Sequence, residues 1–180
     1  RLAERGSRRE FETAWNRREV VSQLASILER RMRNVLLVGK AGVGKTTVLA
    51  EAAKILRNQK PELGRNKTDA DDESVTADES SAQDETITCW LTNASRLISG
   101  MVYLGQWQER CEGLVSELSE TSGVLCVENL LDLVLTGSDP GSSLAAFFRS
   151  FMINDELRMV AEATPGELET IRRLMPGFDS

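Results

Sequence analysis

The sequence predicts an α/β fold, a three-layer sandwich in which a mostly parallel sheet is covered by helices on both faces. Three observations carry this. Apolar runs of strand length recur at Val35–Val38, Thr86–Leu91, Val124–Val127 and Leu157–Ala161. Segments with helical apolar spacing lie between them, and strands alternating with helices imply a parallel sheet buried on both sides. The first run passes at once into a glycine-rich loop and a helical pattern, over Asn34–Thr47, NVLLVGKAGVGKTT.

Within that stretch Gly39-Lys40-Ala41-Gly42-Val43-Gly44-Lys45-Thr46 fits G-x-x-x-x-G-K-[ST] at every fixed position, in the strand–loop–helix context the motif requires. A phosphate chain must be held without bulk water. Glycines let the backbone bend and turn its N–H groups inward, and the helix beginning near Lys45 points its positive end at the same spot. The expected nucleotide-binding set is Gly39, Ala41, Gly42, Val43, Gly44, Lys45, Thr46 and Thr47. Lys45 reaches the β- and γ-phosphates and the Thr46 hydroxyl is a Mg²⁺ ligand, so ATP or ADP with Mg²⁺ are the expected cofactors.

In chain order, residues 1–11 are rich in arginine and glutamate with weak patterning. Trp15–Arg33 reads as an amphipathic helix with Val20, Leu24, Ile27 and Leu28 on one face, and arginines in its last turns suit the negative end of the helix dipole. The helix after the phosphate loop carries Val48, Leu49, Ala52, Ala53 and Leu56 on its apolar side and runs to about Asn58, before Pro61 and Gly64. Residues 67–85 are acidic, rich in Ser, Thr and Asp and nearly devoid of large apolar residues, which predicts a disordered insertion. A short helix follows at Ala94–Ser99, then a loop between Gly100 and Gly105, then a helix at Gln106–Glu120 with Trp107, Cys111, Leu114, Val115 and Leu118 at helical spacing. Thr136–Ser143 is a loop, Leu144–Met152 a helix with three phenylalanines, and Pro165–Leu174 a helix opened by proline.

Composition narrows the chemistry. The 180 residues fit one domain, and an opening residue that is not Met suggests part of a longer protein. The net charge is -6, but eight carboxylates lie between Asp69 and Glu85; setting them aside leaves 22 basic against 20 acidic residues. A near-neutral remainder gives no broad basic field for nucleic acid. There is no histidine, which excludes Ser-His and Cys-His catalysis. Cys89, Cys111 and Cys126 form no C-x-x-C pair and read as reduced core residues, in keeping with a cytoplasmic protein. No apolar run is long enough to span a bilayer, so no membrane partner is expected.

Ligands sit at the carboxyl ends of parallel strands. A phosphate-loop ATPase needs a carboxylate there on the metal side and a group that positions or deprotonates the attacking water. Val124–Val127 ends in Glu128-Asn129. Glu128 is the candidate metal-side carboxylate. Asn129 stands at the catalytic position, where an amide can hold a water but cannot take its proton. Asp132, one helical turn on, more simply faces solvent. Thr164, after the fourth strand, could contact the γ-phosphate or the water, or cap the helix that opens at Pro165.

With these pieces in order the chain resembles the AAA+ module of Clp-type protein unfoldases and disaggregases, particularly their first ATPase module, over roughly Asn16–Leu174 apart from the acidic insertion. Beyond the phosphate loop, Gly100-Met101-Val102-Tyr103-Leu104-Gly105-Gln106-Trp107-Gln108-Glu109-Arg110 is similar to the family's pore-loop segment, and Asn16-Arg17-Arg18-Glu19 to its opening. The resemblance implies that Tyr103 grips polypeptide substrate in the channel of a ring, expected as a hexamer, and that Thr164 is the sensor threonine. Residues 1–180 would form the large subdomain, with the helical lid beyond the chain. Glu128-Asn129 falls on the family's Asp-Glu pair and departs at both positions, a degenerate Walker B. The arginine-finger pair has no clear counterpart, since Arg172 and Arg173 stand in a different context. The implied function is a chaperone-type ATPase coupling nucleotide to protein unfolding or remodelling. The alternative is a hydrolysis-deficient nucleotide switch or assembly module.

Overall fold

A computed structural model describes residues 17–30, 34–58, 87–100, 106–137 and 140–178. Helix α1 (Arg18–Glu29) leads to strand β1 (Val35–Val38), helix α2 (Lys45–Asn58), strand β2 (Cys89–Thr92) and helix α3 (Ala94–Ile98). Then come α4 (Gln106–Glu120), β3 (Val124–Val127), α5 (Leu130–Leu135), a 3₁₀ turn (Pro140–Ser142), α6 (Leu144–Ile153), β4 (Met159–Ala163) and α7 (Pro165–Leu174). The acidic stretch 67–85, the segment 101–105 that holds Tyr103, and residues 1–16 lie outside the described residues.

All strand pairings are parallel, in the order β1-β4-β3-β2. Every residue of β3 and β4 is buried, as expected of central strands covered on both faces. Alternation then divides their side chains. Val124, Cys126 and Val160 join one cluster with Val21, Leu24, Ala25 and Leu28 of α1 and Val48, Leu49, Ala52 and Leu56 of α2. Leu125, Val127, Met159, Ala161 and Ala163 join the opposite cluster, which α3 to α7 cover around the fully buried Phe148. Trp107 and Phe151 meet Phe147 at ring-centroid distances of 5.3 and 5.2 Å at the border of that cluster.

Several elements depart from the sequence expectation: α1 is helical over Arg18–Glu29, and β2 runs Cys89–Thr92 rather than ending at Leu91. In α1 the buried stripe is Val21, Leu24, Ala25 and Leu28, while Val20 is 43% exposed. Packing against α2 selects the i, i+3, i+4, i+7 set one position along from the predicted start. More consequential is β4, expected at 157–161 and found at Met159–Ala163. Parallel pairing with β1 decides this: Val35 is opposite Val160, Val38 is opposite Ala163, and the Gly39 N–H donates to the Ala163 carbonyl at 3.1 Å. Ladder bonds thus carry strand geometry two residues beyond Ala161 and bring Glu162 into the sheet.

Candidate functional site

The loop between β1 and α2 bends at two glycines that no other residue would occupy without strain. Gly42 has φ +74° and Gly44 φ +85°. The Gly44 carbonyl accepts from the Val48 N–H at 3.0 Å, which starts α2 directly after the loop. Lys45 curls back over this loop, its Nζ donating to the carbonyls of Gly39 at 2.9 Å and Lys40 at 3.2 Å. Thr46, in the first turn of α2, donates its hydroxyl to Oε2 of Glu162 at 3.0 Å. The sequence had not singled out Glu162; it stood in what read as a loop. A carboxylate in an otherwise apolar strand was the available signal.

The end of β3 lies beside the end of β4. Val127 is opposite Ala161, so the residues one step on, Glu128 and Glu162, are neighbours. Glu128 accepts from Asn93 Nδ2 at 2.8 Å, and the Glu128 N–H donates to the Thr92 carbonyl. Asn93 likewise belongs to no motif in the sequence. It follows β2 directly and caps α3, accepting from the Arg96 N–H at 3.0 Å. An Asn between a strand and a helix was the sign.

Asn129 caps α5, its side chain accepting from the Asp132 N–H at 3.4 Å. Asp132 is exposed. Thr164 forms a reciprocal capping box: its hydroxyl accepts from the Glu167 N–H, and Glu167 Oε2 accepts from the Thr164 N–H. Both residues stand at carboxyl ends of central strands, and the geometry shows each in a helix-capping role.

Electrostatics single out Glu162. Burial pushes its carboxyl above the ordinary value of 4.5; the Thr46 hydroxyl and the Lys45 ammonium oppose this, and Glu128 adds to it. Oε1 of Glu162 is buried without a hydrogen-bond partner. Among the described residues no group of three or more His, Cys, Asp or Glu could form an all-protein metal cage. Two neighbouring carboxylates and a threonine hydroxyl are nevertheless the hard oxygen donors that Mg²⁺ takes, since that ion is held by one or two carboxylates together with substrate phosphates. The residues present therefore fit the ion, with Thr46, Glu162 and Glu128 as the side chains that would hold it.

No protein-family model matches the chain. It is 27% identical over 150 residues to the chaperone protein ClpB of Tropheryma whipplei strain TW08/27, an alignment covering 82% of this chain and 19% of that one. Against the ClpB of Porphyromonas gingivalis it is 26% identical over 171 residues, covering 92% and 18%. This chain is a homologue of the ClpB/Hsp104 AAA+ chaperones. The homology extends over most of this chain, which spans less than a fifth of the length of these ClpB relatives. The fold agrees with that of Hsp104. A closed-state Hsp104 with ATPγS and FITC casein superposes with a TM-score of 0.70 at 19% identity, and S. cerevisiae Hsp104 in complex with casein with 0.69 at 19%. Each covers 99% of this chain, which matches 28% of the Hsp104 chain. The mostly parallel sheet with helices is thus the fold of an Hsp104/ClpB AAA+ module.

Proposed function

We propose that this chain is the nucleotide-binding part of a Clp-type AAA+ chaperone, binding ATP or ADP with Mg²⁺ and coupling the nucleotide to the handling of polypeptide. The observation that carries the reading is the loop at 39–46. Its positive-φ glycines, the Lys45 ammonium above it and the first turn of α2 form a cradle for phosphate oxygens. Gly39, Ala41, Gly42, Val43, Gly44 and Thr47 supply backbone and the helix start, Lys45 the charge, and Thr46 the hydroxyl on the metal side. Mg²⁺, when bound, neutralises charge on the phosphates. Homology to ClpB and the ATPγS, ADP and casein complexes of Hsp104 support the choice of ligand and of a polypeptide client. Self-association into a hexameric ring, a gripping role for Tyr103, and a cytoplasmic location belong to the same reading. Among the described residues no helix is long and apolar enough to cross a membrane.

A second reading is favoured by Asn129. An amide caps α5 where an ATPase needs a base, so the module binds ATP, hydrolyses it slowly and serves as a nucleotide switch within a larger assembly. General-base catalysis contributes about 10²–10⁴-fold to a rate.

Calorimetry and steady-state ATPase assays on the full-length protein separate these readings. Lys45→Ala removes a charge that the phosphates require and abolishes ATP binding; unchanged affinity refutes the phosphate-loop assignment. Asn129→Glu raises turnover by about 10²-fold or more if only the base is missing. Robust wild-type turnover with no gain from this variant favours the working motor instead.

A further inference from the structure

Strand β4 is apolar at every position except Glu162, which is 3% exposed. Burying a carboxylate is unfavourable unless it is paired or coordinates a metal. Glu162 meets that requirement by half. One oxygen accepts from Thr46, the other is buried without a partner, and the neighbouring carboxylate of Glu128 opposes its ionisation. Such an arrangement leaves one carboxylate oxygen unsatisfied beside the first turn of the helix that follows the loop at 39–44.

Alternation in β4 places Glu162 on the same face as Val160, the face covered by α1 and α2. The register places it opposite Leu37 of β1 and next to the position of Glu128 beyond β3. It therefore stands in the strand between β1 and β3. Glu128, the strand-end residue first expected on the metal side, is engaged by Asn93 at 2.8 Å. Thr46, the loop hydroxyl expected to ligate Mg²⁺, is engaged by Glu162.

Building on the nucleotide-site reading above, we propose that Glu162 is the principal metal-side carboxylate of this site, acting on Mg²⁺ next to the Thr46 hydroxyl, with Glu128 as its neighbour. The position left by the altered Glu128-Asn129 pair is filled from the adjacent strand. A purely structural carboxylate would need only its bond to Thr46, which an amide oxygen supplies equally well. A metal-side carboxylate needs its negative charge, and the two roles part on that point.

The test uses the full-length protein and its Glu162→Gln and Glu162→Asp variants. Mn²⁺ binding is read by electron paramagnetic resonance in saturating ATP, and ATP binding by calorimetry in EDTA. Glu162→Gln weakens Mn²⁺ by about 10- to 100-fold, the range for losing a partner that orients or tunes a metal site. ATP affinity in EDTA does not fall, and Glu162→Asp restores part of the Mn²⁺ affinity. Unchanged Mn²⁺ affinity in Glu162→Gln overturns the assignment, and so does an equal loss of ATP affinity in EDTA. Wild-type protein that binds no ATP with or without metal overturns the nucleotide-site reading itself, and this assignment with it. That outcome is distinct from normal ATP binding whose metal dependence ignores residue 162.

Discussion

On one face of the sheet, Met159, Ala161 and Ala163 of β4 enter a cluster with Phe148, Leu125 and Ile171. On the other, the same strand presents Val160 and Glu162 toward the helices that flank the phosphate loop. On the first face β4 is apolar at each position and gains from burial. The second interrupts its aliphatic packing with a carboxylate that burial disfavours. One strand thus has a wholly apolar side and a side that carries a single buried carboxylate. The difference shows that a polar residue inside a buried parallel strand is informative in a way that one at a strand end is not. Strand ends are ordinarily polar, as the capping roles of Asn129 and Thr164 illustrate.

Substitutions on the two faces break or sharpen this contrast. Phe148→Ala, on the purely structural face, removes a fully buried ring and lowers stability by about 3–5 kcal/mol in denaturant unfolding. A loss confined to nucleotide affinity would contradict the division between faces.

Glu162→Gln works in the other direction without nucleotide. Its folded-state pKa is raised, so the native protein holds the proton more tightly than the unfolded chain. The ionisation penalty is absent below the ordinary value of 4.5 and grows as pH rises from there toward the raised value. The variant therefore gains stability at neutral pH, and the gain disappears in acid. Thermal unfolding followed across pH checks this; a neutral-pH loss would mean that the carboxylate stabilises the empty site.

Thr164 gives the smallest and most diagnostic effect. Thr164→Ala costs about 1 kcal/mol by removing the cap of α7, whereas Thr164→Asn keeps a capping side chain without the hydroxyl. Turnover preserved in the Asn variant confines Thr164 to capping; turnover lost while stability is kept gives its hydroxyl a role at the phosphate.

The phosphate loop was legible in the sequence because its determinants are contiguous. The strand Val35–Val38, the glycines and the helix from Lys45 follow one another, and each is dictated by local conformation and spacing. The bounds of β3, α4 and α7 were legible for the same reason: a fully apolar run, helical spacing and a proline-opened helix are local signals. The sequence alone also marked Glu128 and Asn129 as a polar pair ending a buried strand. It could not show that Glu162 is bonded to Thr46, since 116 positions separate them. Nor could it show that β4 reaches Ala163. Glu162 interrupts the apolar run after Ala161, and only hydrogen bonding to β1, with the Gly39 N–H on the Ala163 carbonyl, extends the strand. Local propensity determined the glycine loop between β1 and α2; the register between strands distant in sequence decided which carboxylate stands beside it.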